Sequence, residues 1–277
     1  MNWDKAWTDA VESNEQISKN EDKWTDFWDQ YSKQYTMEVK FEQQLHQKVL
    51  KYLEQEHRFR LRDSVIDIGC GPGTYALLLT KKAKLVTCLD SSKGMLDRVR
   101  EEAAQAGITN INLWLDRWED ACPKAKYDLA ICARSPAIKS RLGLLKMEKM
   151  SLRDCCFIGG ATKEENKEEK SLWEFALGSS HKKHGKAAKY YVVHPLNILL
   201  EEGRNPDLKF IFETVTMSLD ADMVVKNYLR NFRIYTTLTA KKEQAIKERI
   251  LGWCSNGRYT FKCNRGVAVI TWSVPEV

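Results

Sequence analysis

The chain has 277 residues, 43% of them hydrophobic, and a formal net charge of +6 at pH 7. That supplies enough apolar material for one large α/β domain, or a domain with a lid, and no run of about 18 apolar residues offers a membrane-spanning helix. The charge is uneven, because residues 1–60 hold 9 Lys/Arg against 12 Asp/Glu, a net −3, which leaves +9 on the remainder.

The start, Met1-Asn-Trp-Asp-Lys, is polar and lacks a signal-peptide core, so a cytoplasmic protein is expected. The mixed charges of residues 163–170 read as a solvated helix face, not as a stripe for nucleic acid. Basic residues gather at 181–189, where a solvated surface or an anion site are both open. Eight cysteines include no C-x-x-C. Cys70, Cys88, Cys132, Cys155 and Cys156 fall in or beside apolar runs and read as small buried hydrophobes in a reducing compartment. His181-x-x-His184 lacks a third ligand nearby, so no metal site is expected.

Residues 1–60 read as helical. Trp24, Phe27, Trp28, Tyr31 and Tyr35 recur at three- and four-residue steps and make one aromatic face. That face either packs on the domain or forms a lid over a ligand. A second helix, 40–56, carries Phe41, Leu45, Val49, Leu50 and Leu53 on one stripe, with His46 and His57 expected at exposed positions.

From residue 64 strands and helices alternate. Strands are predicted at 65–68, 85–90, 111–116, 127–133 and 155–160, with helices at 74–82, 92–106 and 140–150. Such alternation implies parallel strands with right-handed crossovers, hence a doubly wound, Rossmann-like sheet. Residues 161–206 exceed what a return helix needs. An insertion at about 161–195 is therefore expected, as part of a cover over the site, with the return helix at 195–203. A strand at 208–219, helices at 220–232 and 240–253, and a last strand at 266–274 complete the chain. A strand pair at the end suits an antiparallel closing edge.

The stretch 64–74, Ser-Val-Ile-Asp-Ile-Gly-Cys-Gly-Pro-Gly-Thr, is the most informative. It reads as a buried strand, then a turn with glycine at 69, 71 and 73. Such a turn brings bare backbone close to a ligand. The dinucleotide fingerprint G-x-G-x-x-G would need a third glycine where Thr74 stands. Asp67, before the first glycine, suits a ligand with positive charge better than a pyrophosphate. Both points count against a nicotinamide-dependent oxidoreductase. Asp90 ends the second strand 23 residues later, close to the roughly 20-residue interval at which an acid reaches a ribose hydroxyl pair. Asp116 ends the third strand, within reach of an adenine edge. Three acids at the ends of consecutive strands open on one crevice.

Val65-Ile-Asp-Ile-Gly-Cys-Gly-Pro-Gly73, Leu89-Asp-Ser-Ser-Lys-Gly-Met-Leu96 and Leu115-Asp-Arg-Trp118 resemble the nucleoside-binding motifs of class I S-adenosylmethionine-dependent methyltransferases, in their small-molecule, type 11-like branch. The resemblance is close over 64–134 and loose beyond. It implies a seven-stranded sheet with the last strand antiparallel, S-adenosyl-L-methionine as cofactor, and a methyltransferase domain over 61–277 behind a helical N-terminal lid, 1–60. It places Gly69, Cys70, Gly71 and Gly73 around the methionine part, with Asp67 near its amino group. Asp90 then binds the ribose, Ser91 and Met95 flank ribose and adenine, and Asp116 with Arg117 or the Trp118 backbone holds the adenine edge.

The fourth strand ends Ala133-Arg134-Ser135-Pro-Ala, where DNA and protein-amide methyltransferases carry an Asn-Pro-Pro-Tyr-type motif. Its absence counts against an amino-adenine or glutamine acceptor. Arg134 is placed with the cofactor-binding set, with a substrate carboxylate or phosphate and a structural ion pair also open to it. Trp28, Tyr31, Tyr35, Ser135 and His194 are the candidates for lid and substrate contacts. No catalytic base is assigned. The reading is methyl transfer to a small molecule; RNA or protein methylation, or a non-catalytic nucleoside sensor, are the alternatives.

Overall fold

A computed structural model describes residues 1–12, 21–40, 42–122, 125–162, 167–178 and 192–275. Seven strands form one sheet: β1 Ser64–Ile68, β2 Leu85–Asp90, β3 Ile111–Leu115, β4 Tyr127–Ala133, β5 Ser151–Thr162, β6 Asp207–Asp220 and β7 Arg258–Ser273. Their order is β3-β2-β1-β4-β5-β7-β6. β1 to β5 pair in parallel, and β7 runs antiparallel to both of its neighbours. The doubly wound architecture with an antiparallel last strand is as expected.

The helices are α1 Trp3–Glu12, α2 Glu21–Lys40, α3 Gln43–Gln55, α4 Ala76–Leu79, α5 Lys93–Gln105, α6 Arg141–Met150, α7 Lys167–Leu177, α8 Val193–Glu201, α9 Ala221–Tyr235 and α10 Ala240–Leu251. Local chemistry sets several of their ends. Ser92 caps α5 by accepting from the Met95 N–H, and Ser140 caps α6 by accepting from the Gly143 N–H. Gly107, at φ +65°, stops α5 in the left-handed conformation. α4 is shorter than the predicted 74–82, and its flanks are turns in which the Thr80 hydroxyl donates to the Leu77 carbonyl.

Strand alternation feeds two cores, one on each sheet face. Val65 packs with Leu45, Val49, Leu53, Tyr75 and Leu79 on the α3 and α4 side. Ile66 and Ile68 pack with Trp7, Leu144, Met147 and Leu199 on the α1, α6 and α8 side. Asp67 shares the side of Val65 and so faces the α3 core. Two parts of the expected cap are thus built into the domain: α1 buries Trp7 and α3 buries its predicted Leu/Val stripe. Among the described residues, α2 is the part of the expected cap that lies over the crevice, with Thr25, Trp28 and Tyr35 on its lining. His46 corrects its expectation. It is 3% exposed, because α3 lies flat on the sheet and turns it inward against Tyr75, at 5.1 Å between rings. His57 is exposed as expected.

The hairpin of β6 and β7 is longer than predicted. Its register runs from Asp207 opposite Thr271 to Asp220 opposite Arg258, while β5 pairs with β7 only as far as Gly266. The overhang carries a third core of Leu172, Val224, Phe232, Ile246, Ile250 and Tyr259. This is where the described part of the insertion goes. α7 packs on α9 and α10, so it braces the overhang and does not cover the crevice. The basic stretch with His181 and His184 lies outside the described residues.

Candidate active site

The carboxyl ends of β1, β2 and β4 open into a cavity of about 590 Å³. It is the glycine turn that brings backbone to its floor. Gly69, Gly71 and Gly73 all have positive φ, at +64°, +55° and +80°. Their roles differ. A Cβ on Gly69 would stand 1.9 Å from the Ser135 hydroxyl oxygen, so β1 and β4 approach as closely as they do only without one. A Cβ on Gly71 would meet only the Tyr35 ring, at 3.9 Å, across open space. Gly73 faces Leu77 and Val99 and serves packing; it does not line the cavity.

Asp90 shapes the turn. One of its oxygens accepts the Gly71 N–H and the other the Ser92 N–H, both at 2.8 Å. The Ser91 N–H adds to these, and a carboxylate with about four acceptor directions still keeps one to spare. Burial raises the Asp90 carboxyl, against the pull of these N–H groups. Asp67 is 1% exposed. Burial, and then the neighbouring Asp90, push it up to about 7, with the Ala76 N–H opposing. Among the described residues no ion pair joins it, so a buried acid faces a cavity with no cation beside it. Asp116 lies at the far end, accepting the Arg117 N–H. Met95, Ser91 and Cys70 line the space between. Trp118 also lines it, but its indole N–H is committed to the Gly143 carbonyl at 3.2 Å, and Lys146 sits over its ring.

Trp28 and Tyr35 of α2 roof the cavity. Tyr31 does not reach it; its ring lies against Phe27, Trp28 and Tyr35, with centroids 5.1–5.8 Å apart. α2 is latched by a residue that pattern reading missed. Asp29 accepts from the Ser92 hydroxyl at 2.5 Å and from the Gly94 N–H at 2.8 Å, at the N-terminus of α5. A Cβ on Gly94 would stand 2.7 Å from the Asp29 carbonyl oxygen. Glycine so early in a helix was the available signal of that close approach.

Arg134, at φ +51°, forms an ion pair with Glu42. Burial pushes Glu42 up, but Arg134 and Arg265 together outweigh it and hold the carboxyl below its usual range. Arg265 Nε stands 3.3 Å from the same carboxylate. The structural ion pair considered for Arg134 is therefore present, while its side chain still lines the cavity. His46 lines it too. Burial, and then Arg134 against the pull of Glu42, bring its pKa down to about 4. Ser135 lines the cavity, with its hydroxyl accepting the Ala137 N–H at 3.2 Å. His194 is not part of the site. It lies on the other sheet face, its ring 6.4 Å from Trp7 in a stacked arrangement and 6.1 Å from Trp3. Proximity in sequence to the insertion had suggested it, but α8 belongs to the opposite layer. Tyr75, His46 and Arg265 were missed because their side chains meet only through the fold.

Residues 65–142 match a family model described as a methyltransferase domain. The chain is 34% identical over 103 residues to a protein-L-isoaspartate O-methyltransferase of Methanoculleus marisnigri, covering 36% of this chain and 47% of that protein. It is 36% identical over 80 residues to an uncharacterized protein of Haemophilus influenzae, covering 27% and 29%. The chain thus spans less than half the length of these curated relatives. The YcgJ protein of Bacillus subtilis shares the fold at a TM-score of 0.50 and 14% identity, over 82% of this chain and 98% of that one. Among the described residues, no helix is long and apolar enough to cross a membrane, and no group of three or more His, Cys, Asp or Glu could hold a metal ion.

Proposed function

We propose that the chain is a class I S-adenosylmethionine-dependent methyltransferase that methylates a small molecule, with S-adenosyl-L-methionine as methyl donor. One observation carries the reading. A buried carboxylate with no ion-pair partner among the described residues, Asp67, and a carboxylate with acceptor capacity to spare, Asp90, stand on one cavity with Asp116 beyond them. This donor set fits an aminoacyl nucleoside. Asp67 offers a counter-charge to an ammonium, and Gly71 offers room for backbone approach. Asp90 offers acceptors for a ribose hydroxyl pair. Asp116, with the Arg117 and Trp118 backbone, offers an edge to an adenine.

When bound, the cofactor supplies an activated methyl group on a sulfonium, ready for in-line displacement. The protein's task is then alignment and exclusion of water. Trp28 and Tyr35 over the turn, latched through Asp29, serve that task. No described side chain is assigned as general base. His46 is neutral near pH 7, and its pKa of about 4 makes it a poor proton acceptor.

The enclosing roof of α2 favours a small acceptor over RNA or a protein chain, which needs an open face. Calorimetric titration with S-adenosylmethionine tests the cofactor assignment. Wild type binds one equivalent, and Asp90→Ala weakens binding by about 1.5–3 kcal/mol, the range for hydrogen bonds to a charged group. Equal affinity of the two proteins would remove the ribose role of Asp90.

A further inference from the structure

The cavity has a second polar end, toward β5 and β7, that the cofactor assignment leaves unused. Tyr75, His46, Arg134 and Arg265 line it. Tyr75 is 3% exposed, and its buried hydroxyl has no hydrogen-bond partner among the described residues. A buried hydroxyl in that state is destabilising, and in a cavity wall a ligand acceptor atom relieves it. Arg265 is similarly under-used. Its Nε lies 3.3 Å from Glu42 without a hydrogen bond, and Nη2 meets the Met217 sulfur at 3.3 Å, a weak acceptor.

The charges here do not cancel. Arg134 and Arg265 face one carboxylate, Glu42. His46 is neutral near pH 7. Lys48 and Glu213, from α3 and β6, lie 3.8 Å apart and offset each other. Among the described residues, one positive charge remains beside an unpartnered hydroxyl.

We propose that this end of the cavity binds a single carboxylate of the methyl acceptor, with the Arg265 guanidinium and the Tyr75 hydroxyl as donors and Arg134, held by Glu42, at its edge. The substrate class is therefore a small monocarboxylic acid methylated at another atom or at the carboxylate itself. A guanidinium fork matches a planar carboxylate in two parallel hydrogen bonds. A neutral acceptor can take the hydroxyl's hydrogen bond but leaves the charge unanswered, and a dianion exceeds the single charge on offer. The proposal rests on reading the other end of the cavity as the cofactor site.

The test titrates protein saturated with S-adenosylhomocysteine with benzoate, phenylacetate and hexanoate, and with benzamide as the neutral counterpart of benzoate. At least one carboxylate is expected to bind, and benzamide to bind about tenfold more weakly than benzoate or less, roughly the loss of one charge-assisted hydrogen bond. Arg265→Met and Tyr75→Phe should each weaken carboxylate binding by about as much. Both should keep wild-type affinity for S-adenosylhomocysteine, and Tyr75→Phe should melt no lower than wild type, since it removes only an unpartnered hydroxyl. The proposal is overturned if no carboxylate binds, if benzamide binds as tightly as benzoate, if inorganic phosphate binds more tightly than every carboxylate, or if both variants bind carboxylates as wild type does. Loss of S-adenosylhomocysteine affinity in Arg265→Met overturns it too, by giving that arginine to the cofactor. If S-adenosylhomocysteine fails to bind even wild type, the cofactor reading falls, and the same titrations on ligand-free protein decide the carboxylate site by themselves.

Discussion

Asp67 ties the ligand, the pH and the fold together. Burial and Asp90 hold its carboxyl at about 7 in the ligand-free protein. A ligand ammonium pairs with the ionised form only. With a pKa of about 7, roughly a tenth of molecules carry that charge at pH 6 and about nine tenths at pH 8, so affinity for S-adenosylhomocysteine should rise roughly tenfold over that interval. Folding responds in the opposite sense. The folded carboxyl is raised above its ordinary value of 3.8, so the folded state holds the proton more tightly than the unfolded one. That contribution is complete below about pH 4 and is lost as pH rises through about 7, a change of up to about 4 kcal/mol. Asp67→Asn should abolish both effects, giving weak binding independent of pH from 6 to 8. Its stability relative to wild type should grow across pH 4–7. Calorimetry at pH 6, 7 and 8 and urea denaturation at pH 4.5–8 on both proteins measure this. A wild-type affinity unchanged between pH 6 and 8, or the same slope in Asp67→Asn, refutes the argument.

Asp29→Ala removes the latch of α2 on α5 and should cost about 1–2 kcal/mol, as loss of a helix cap does; amide exchange should accelerate across 21–40 with less effect on β1 to β5. Two glycines of one turn should separate fold from binding. Gly69→Ala meets Ser135 at 1.9 Å at a positive φ and should destabilise by about 3 kcal/mol, whereas Gly71→Ala meets nothing nearer than 3.9 Å, so it should lose cofactor affinity at a stability cost of only about 1–2 kcal/mol. Thermal melts paired with calorimetry distinguish the two, and equal melting losses would contradict the assigned roles. Glu148 is buried, accepts from Arg204 twice at 2.9 Å and from the Trp272 indole at 2.9 Å; Glu148→Ala should therefore cost about 3–5 kcal/mol in urea denaturation, and a loss below about 1 kcal/mol would show that pair to be surface-like.

What sequence could reveal here followed from locality. The β1 turn, the Asp90 and Asp116 strand ends and the helix of residues 92–106 are written in neighbouring residues, and the fold has them where their spacing put them. The acceptor end of the cavity is not local. It joins α3, the residue after the turn, the end of β4 and the middle of a sixteen-residue strand, and no periodicity links His46, Tyr75, Arg134 and Arg265. His46 misled because a polar residue beside an apolar stripe looks solvent-facing, and only the neighbour it meets, Tyr75, shows otherwise. The insertion misled for a related reason. Its apolar residues Leu172 and Ala176 advertise a contact, but the partner, the overhanging hairpin, exists only because β6 and β7 outrun β5.

The most direct test is a crystal structure with S-adenosylhomocysteine bound. The ligand's amino end is expected at Asp67, its ribose on Asp90 and its adenine beside Asp116, beneath Trp28 and Tyr35. The end toward Tyr75 and Arg265 should remain clear of it. A ligand lying elsewhere, or one whose ribose makes no contact with Asp90, would contradict it.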